Sequence, residues 1–353
     1  MDTLEKYRQA GEIHKKVRKY IQPLIKSGIK YTTICNLIES KISKEINKIS
    51  HNQLNNGIAF PTGISINNVA AHFTPSYLDE RIVKCDDVIK IDYGVHIDGC
   101  IIDSAFTINL NNEYNAILRA SDEAVNTIIK NIGVDSRFKE LSELSQEVVE
   151  SYEYENKPLK VIDNLAGHNI LPWKIHGGKL LHGKPTNNLI YDDLRIEEND
   201  IMAIEVFVSN GTGTTILDND YKNYSHYMLK DNRKIPLFKN KKTNDVSHLI
   251  SKNFKTLAFC PRFIDTVQKK RTYYNNNLQE LFRYGYLNSY PPLIETDSDS
   301  KIAQFEHTIY ISENKKTYTN RAMGKITISA FQIVTKPSII IIYLHIKKAC
   351  YFI

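Results

Sequence analysis

Cysteine is scarce in this sequence and scattered. Of 353 residues five are cysteines: Cys35, Cys85, Cys100, Cys260 and Cys350. The number is odd and no two form a CxxC pair. That argues against a disulfide framework and against a thiolate-ligated zinc site, and it fits a reducing, intracellular compartment. Long apolar runs are missing as well. No stretch approaches the roughly 18 apolar residues that a membrane span needs, and the nearest, Ser338 to Ile346, is too short. Met1 to Tyr20 is charged and amphipathic with no apolar centre, so no signal peptide is expected. No repeat of solenoid-like period is found. Charge of either sign is not dominant: 46 basic against 40 acidic side chains leave a formal +6. This mild excess reads as a lysine-rich soluble surface ahead of a weak attraction to RNA.

What is present is ordinary globular composition, 42% hydrophobic and 24% charged. It is enough for one large domain or two smaller ones. Leu4, Ile13, Val17, Ile21 and Leu24 fall near helical spacing and predict a helix over 3–27. Ile34, Leu37, Ile38 and Ile42 predict another over 33–47. Further helices are expected over 113–132 and 136–152, with Gly133 placed to stop the first. Between these pairs, Ile89, Ile91, Tyr93, Val95 and Ile97 alternate with Lys90, Asp92, Gly94, His96 and Asp98, as in a strand with one apolar and one polar face. Asp98-Gly99 is a turn pair, and Cys100 to Asn109 returns as the second strand of a hairpin. After about Tyr227 the chain turns polar and rich in Lys and Asn, with helices expected over 243–254 and 274–284, until Tyr290-Pro291-Pro292 breaks the pattern. This stretch reads as an inserted subdomain. The tail from about Thr319 contains Ile339 to Tyr343, a β-prone apolar run that would suit an added edge strand, a partner-binding segment or a disordered or mistranslated end.

Asp92 and Asp103 lie 11 apart on the two hairpin strands, so their carboxylates are expected nearly opposite each other. Two close carboxylates in apolar surroundings repel, and one stays protonated unless a cation sits between them; two exposed strand aspartates are the plainer alternative. Gly167-His168-Asn169 offers an imidazole. Glu205 in Ile204-Glu205-Val206 and Glu306 in Phe305-Glu306-His307 are set in apolar runs, where an unpaired charge is costly. Two Asp, two Glu and one His form an oxygen-rich ligand set suited to Mn, Fe, Co or Zn. Two such ions roughly 3.5–4 Å apart would hold a hydroxide at neutral pH. His72 and His176 are more often structural when taken singly; beside a metal pair, either could bind a substrate amide or an oxyanion.

The segments Gly57 to Gly63, Asn67, Ala70-Ala71-His72, Thr74-Pro75, Lys90 to Gly94, Ile102 to Thr107, Gly167-His168, Ile175-His176, Gly178-Lys179 and Ala303 to Thr308 together resemble the type II methionine aminopeptidases. The resemblance covers roughly residues 4–318. It implies the pita-bread fold, two related α/β halves around a dinuclear metal site, with a catalytic domain over 1–227 and 297–318. Residues 228–296 would be the helical, winged-helix-like insertion that separates type II from type I, and 319–353 a divergent tail. Asp92, Asp103, His168, Glu205 and Glu306 fall on the five ligand positions of two divalent ions (Co, Mn, Fe or Zn). Asp103 and Glu306 would bridge them, and Glu205 would also shuttle a proton. His72 and His176 fall on the substrate-contacting histidines. Phe60, Ile175, His226 and Tyr290 resemble parts of the methionine pocket. The implied activity is removal of the initiator methionine when the second residue is small. Implied partners are the N-termini of nascent polypeptides, with ribosome attachment left open; no membrane, no specific nucleic acid, a monomer and a cytoplasmic location are expected. Two departures stand out: the long charged N-terminal extension of many eukaryotic members is absent, and the tail diverges from Asn320 onward, as a frameshifted gene end or a lineage-specific extension would. The rivals are an Xaa-Pro peptidase of the same fold and a non-catalytic relative that binds RNA or translation factors.

Overall fold

The structure, a computed structural model, describes residues 2–49, 55–220, 223–230, 237–269, 274–312 and 331–335. From the N-terminus come α1 (Thr3–Ile21), α2 (Tyr31–Asn47), the short strands β1 (Asn56–Ile58), β2 (Gly63–Ile66) and β3 (Val69–Ala71), and the hairpin β4 (Val88–Ile97) and β5 (Cys100–Asn109). Then follow α3 (Asn115–Asn131), α4 (Phe138–Glu150), β6 (Glu153–Tyr154), β7 (Lys157–Pro158), β8 (Lys160–Val161), β9 (Ala166–Asn169), β10 (Leu180–His182), α5 (Leu189–Asp192), β11 (Ile201–Ser209), β12 (Thr215–Leu217) and β13 (His226–Leu229). The remainder is α6 (Lys241–Phe254), α7 (Pro261–Gln268), α8 (Asn275–Arg283), β14 (Leu287–Tyr290), β15 (Leu293–Glu295), β16 (Ile302–Ser312) and β17 (Phe331–Thr335).

The first helix is shorter than its hydrophobic pattern suggests. It gives way at Ile21 to a single 3-10 turn, Gln22–Leu24, because Pro23 has no N–H to continue the ladder. Ile13, Val17 and Ile21 of α1, and Ile34, Ile38 and Ile42 of α2, are buried along one stripe of each helix, and both stripes share a core with β4 and β5. In the second half α3 and α4 do the same over β11 and β16. Each half is thus a helix pair over an antiparallel strand pair.

The hairpin forms at the expected turn. Asp98 and Gly99 take φ of 48° and 78°, the two left-handed residues of a type I′ turn. A side chain at Gly99 has no room, since a Cβ there would lie 2.3 Å from the Trp173 ring. The expected polar face of β4 is not exposed. Lys90 and His96 are 1% and 2% accessible, because helices cover one face of the hairpin and the second half covers the other. Lys90 Nζ donates to the carbonyls of Asn67 and Ile302 at 2.8 and 2.9 Å, tying the halves together. Hydroxyls join β5 to β16 in the same way. Thr308 Oγ1 donates to the Asp103 carbonyl at 2.6 Å and accepts from the Asp103 amide at 2.8 Å. Ser104 and Thr107 donate to the carbonyls of Glu306 and Gln304 at 2.6 and 2.7 Å.

Helices α6, α7 and α8 pack around a cluster of their own that includes Val246, Ile250, Ile264, Leu278 and Leu281. Helix α7 was not expected from sequence; Pro261 sits in its first turn, where its missing N–H is harmless. The return to the body comes before residue 296. Strand β15 pairs with β12 and β3, because Leu293 packs with Ala70, Ala71 and Phe207 rather than with the helices. Strand β17 adds to β16 in parallel; the Ile339–Tyr343 run lies outside the described residues. Cys35, Cys85, Cys100 and Cys260 are free, and no described helix is long and apolar enough to cross a membrane.

Candidate metal centre

Strand register decides which acids meet. Asp92 faces Ala105 and Asp103 faces Gly94, so the two carboxylates, expected nearly opposite each other, are diagonal neighbours on one face. Glu205 and Glu306 do stand directly opposite each other on β11 and β16. Like charges in that position repel. His168 pairs with Ala203, two residues from Glu205, so period-2 alternation puts its ring on the same face as both glutamates. The halves close so that His168 Nε2 lies 3.5 Å from Asp103 Oδ2. Ligand atoms of Asp103, His168 and Glu306 all lie within 4.8 Å of one another.

The electrostatics of this cluster are those of a site built for a cation. Burial raises the carboxyls of Asp92, Glu205 and Glu306 well above the usual range, and the neighbouring carboxylates raise them further. Burial pushes Asp103 up to about 7, against a hydrogen bond from Glu306 that lowers it. Burial lowers His168 to about 4 and keeps it neutral, the state in which an imidazole ligates. Asp92 Oδ1, Asp103 Oδ1 and Glu306 Oε2 are buried with no hydrogen-bond partner. Buried acceptors are almost always satisfied, and three orphans in one cluster fit divalent metal, for which carboxylate and imidazole donors are suited.

The acids line a cavity of about 250 Å³ together with Phe60, His72, Ile175, His176, His226 and Tyr290. All eleven residues singled out in the sequence therefore share one space. Phe60 reaches it across Gly94, where a Cβ would sit 2.3 Å from its ring. His72 follows β3 with a φ of 65°, a left-handed conformation uncommon for a non-glycine residue. Its ring is 6.1 Å from that of His226 and 5.8 Å from that of Tyr290, and burial lowers it to about 4. His176 stands edge-on to His168 at 4.5 Å. Other lining residues were not assigned a role from sequence, Gln304, Met228 and Ala258 among them. Gln304 Nε2 donates to Glu205 Oε2 at 2.9 Å and sits two residues before Glu306 on β16, so the alternation of that strand could have found it. Met228 and Ala258 also line the cavity; neither carries a polar signal that would mark it.

A profile of metallopeptidase family M24 matches residues 5–313. The chain is similar to "Methionine aminopeptidase 2" of Debaryomyces hansenii, with 37% identity over 319 residues, covering 89% of this chain and 73% of that protein. Its fold is similar to the solved structures of a thermophilic Arx1, with a TM-score of 0.73 and 20% identity over 88% of each chain, and of a methionine aminopeptidase from Thermotoga maritima, with a TM-score of 0.58 and 19% identity over 88% of this chain and 93% of that one. The fold is the mixed α/β pita-bread fold of these proteins. With the profile spanning most of the chain and its ligand-type residues gathered in one cavity, the chain belongs to metallopeptidase family M24.

Proposed function

We propose that the chain is a type II methionine aminopeptidase, releasing an N-terminal methionine from polypeptides whose second residue is small. The observation that carries this reading is the convergence of Asp92, Asp103, His168, Glu205 and Glu306 in one cavity that Phe60, Ile175, His226 and Tyr290 also line. The names of the curated relatives, at 37–40% identity, and the helices over 241–283 support the type.

Four carboxylates in one cavity favour two divalent ions over one, because a single dication leaves net negative charge in a poorly solvated space. Held there, the metals would supply concentrated positive charge that polarises a carbonyl and acidifies water. The residues themselves do the rest. Glu205, fixed by Gln304 and raised toward neutrality, can take a proton at Oε1 and return it to the leaving amine. His72 and His176, with rings 5.8 and 6.0 Å from that of Tyr290, are placed to donate to the peptide carbonyl as it gains charge. Phe60, Ile175 and Met228 in the cavity wall offer apolar contact to a long, flexible side chain. A small second residue is the preference that the likeness to the methionine aminopeptidases implies.

The test is methionine release from Met-Ala-Ser with Mn or Co supplied, next to an Xaa-Pro dipeptide. Release from the first but not the second, lost in Glu306→Ala, is the expected result. Cleavage of the Xaa-Pro substrate instead would make the chain a peptidase of the other specificity. No release with any metal, together with salt-sensitive RNA binding, would leave the non-catalytic reading.

A further inference from the structure

We propose that Arg262, on α7 of the inserted helical segment, is a positioning residue that holds the loop carrying His72 in its working conformation. The inference rests on the peptidase reading of the cavity. The left-handed backbone at His72 (φ 65°) persists only where the surroundings fix it. Those surroundings can be named. The Phe73 carbonyl accepts from the Ile64 amide of β2 at 2.8 Å. The next two residues are held from the side of the insertion: Arg262 Nε donates to the Pro75 carbonyl at 2.9 Å, and Nη2 donates to Thr74 Oγ1 at 2.9 Å. The other edge of the same guanidinium forms a two-pronged pair with Glu39 of α2, at 2.8 and 2.9 Å.

Arg262 is only 8% accessible. A planar fork bonded along both edges has little freedom left, so the position of the loop is referred to α2 and α7 together. The Thr74 amide donates to Ser225 Oγ at 3.3 Å, and that hydroxyl lies 3.2 Å from His226 Nδ1. The clamp therefore backs both histidines on this side of the cavity. Arg262 itself lines a separate cavity of about 190 Å³ behind the loop and reaches no substrate, so it acts through His72 and not on the reaction.

A plain structural ion pair would serve stability alone, and the two roles separate experimentally. The metal-loaded full chain is compared with Arg262→Met, Arg262→Lys and Val246→Ala, the last a cavity in the insertion's own core that leaves the clamp intact. We expect kcat for Met-Ala-Ser to fall at least 10-fold in Arg262→Met with KM within about 2-fold and bound metal unchanged. Arg262→Lys, which keeps charge but not the fork, is expected to recover part of the loss. Hydrogen exchange at the amides of residues 72–74 should quicken at least 10-fold in Arg262→Met and stay unchanged in Val246→Ala, even where Val246→Ala is the less stable protein. Unchanged kcat and exchange in Arg262→Met, or an equal loss in Val246→Ala, overturns the proposal. Should Arg262→Met not fold, the same comparison is read from Arg262→Lys. If the wild type releases no methionine, the peptidase reading falls, while the exchange measurement still decides whether Arg262 holds the loop.

Discussion

Asp103→Asn should stabilise the protein when metal is stripped away, and by an amount that grows with pH. In the folded chain without metal the Asp103 carboxyl titrates near 7, against an ordinary value of 3.8. Between those values the folded state holds a proton that the unfolded state has released. The group's contribution is therefore harmless below about pH 4 and becomes more destabilising as pH rises, levelling off above 7. About 3 pH units at 1.36 kcal/mol each give an upper figure of about 4 kcal/mol by pH 7. Asparagine keeps the shape and removes the charge. The wild type alone would hide this slope. Burial lowers His14, His226 and His307 to about 3 and His72, His96 and His168 to about 4. Their folded values lie below the unfolded 6.5, so their contribution is lost as pH falls from 6.5 towards those values, in the opposite sense. The difference between mutant and wild type cancels them. The assay is urea unfolding with chelator at pH 5, 6 and 7. The expected gap widens by about 1 kcal/mol per unit, and Mn or Co at a hundredfold excess over Kd should narrow it by about 2.7 kcal/mol by stabilising the wild type alone. A gap that is the same at all three pH values would refute the electrostatic account of the site.

Three further outcomes follow from the packing. Gly99→Ala adds a Cβ against the Trp173 ring at a left-handed position and should destabilise the protein by about 3 kcal/mol in urea titration. Thr308→Val removes both hydroxyl bonds to the Asp103 backbone and should cost about 1–3 kcal/mol; because it leaves every ligand atom in place, metal content by mass spectrometry should be unchanged at saturating metal. Gln304→Leu removes the partner of Glu205 and should lower kcat for Met-Ala-Ser by about 10–100-fold, consistent with the effect of outer partners on ligand function, with little change in KM.

The hairpin was legible because two local signals agree, the alternation of Ile89 to Asp98 and a turn that demands two left-handed residues. The acids were legible as charges in apolar runs. Their meeting was not, since Asp92 and Glu306 are separated by most of the chain and strand register is set only when the halves close; the resemblance to a family supplied that step. The burial of the polar face of β4 escaped the sequence for the same reason: alternation tells which side chains share a face, not what covers it. Helix α7 escaped because a proline that opens a helix looks the same as one that ends it. Nothing in the sequence marks Arg262, and only the tertiary structure shows its fork closed on both sides.

The ligands enter the chain in the order Asp92, Asp103, His168, Glu205, Glu306, and the two glutamates oppose each other only once β16 has paired with β11. During synthesis a chain that has emerged as far as Glu205 carries four of the five donors and no completed centre. Metal capture is in this sense a report on assembly: an ion is held fully only by a chain whose last long strand has docked. A cell short of the ion would then hold chains that are finished in length but still burdened by the mutual repulsion of their own site.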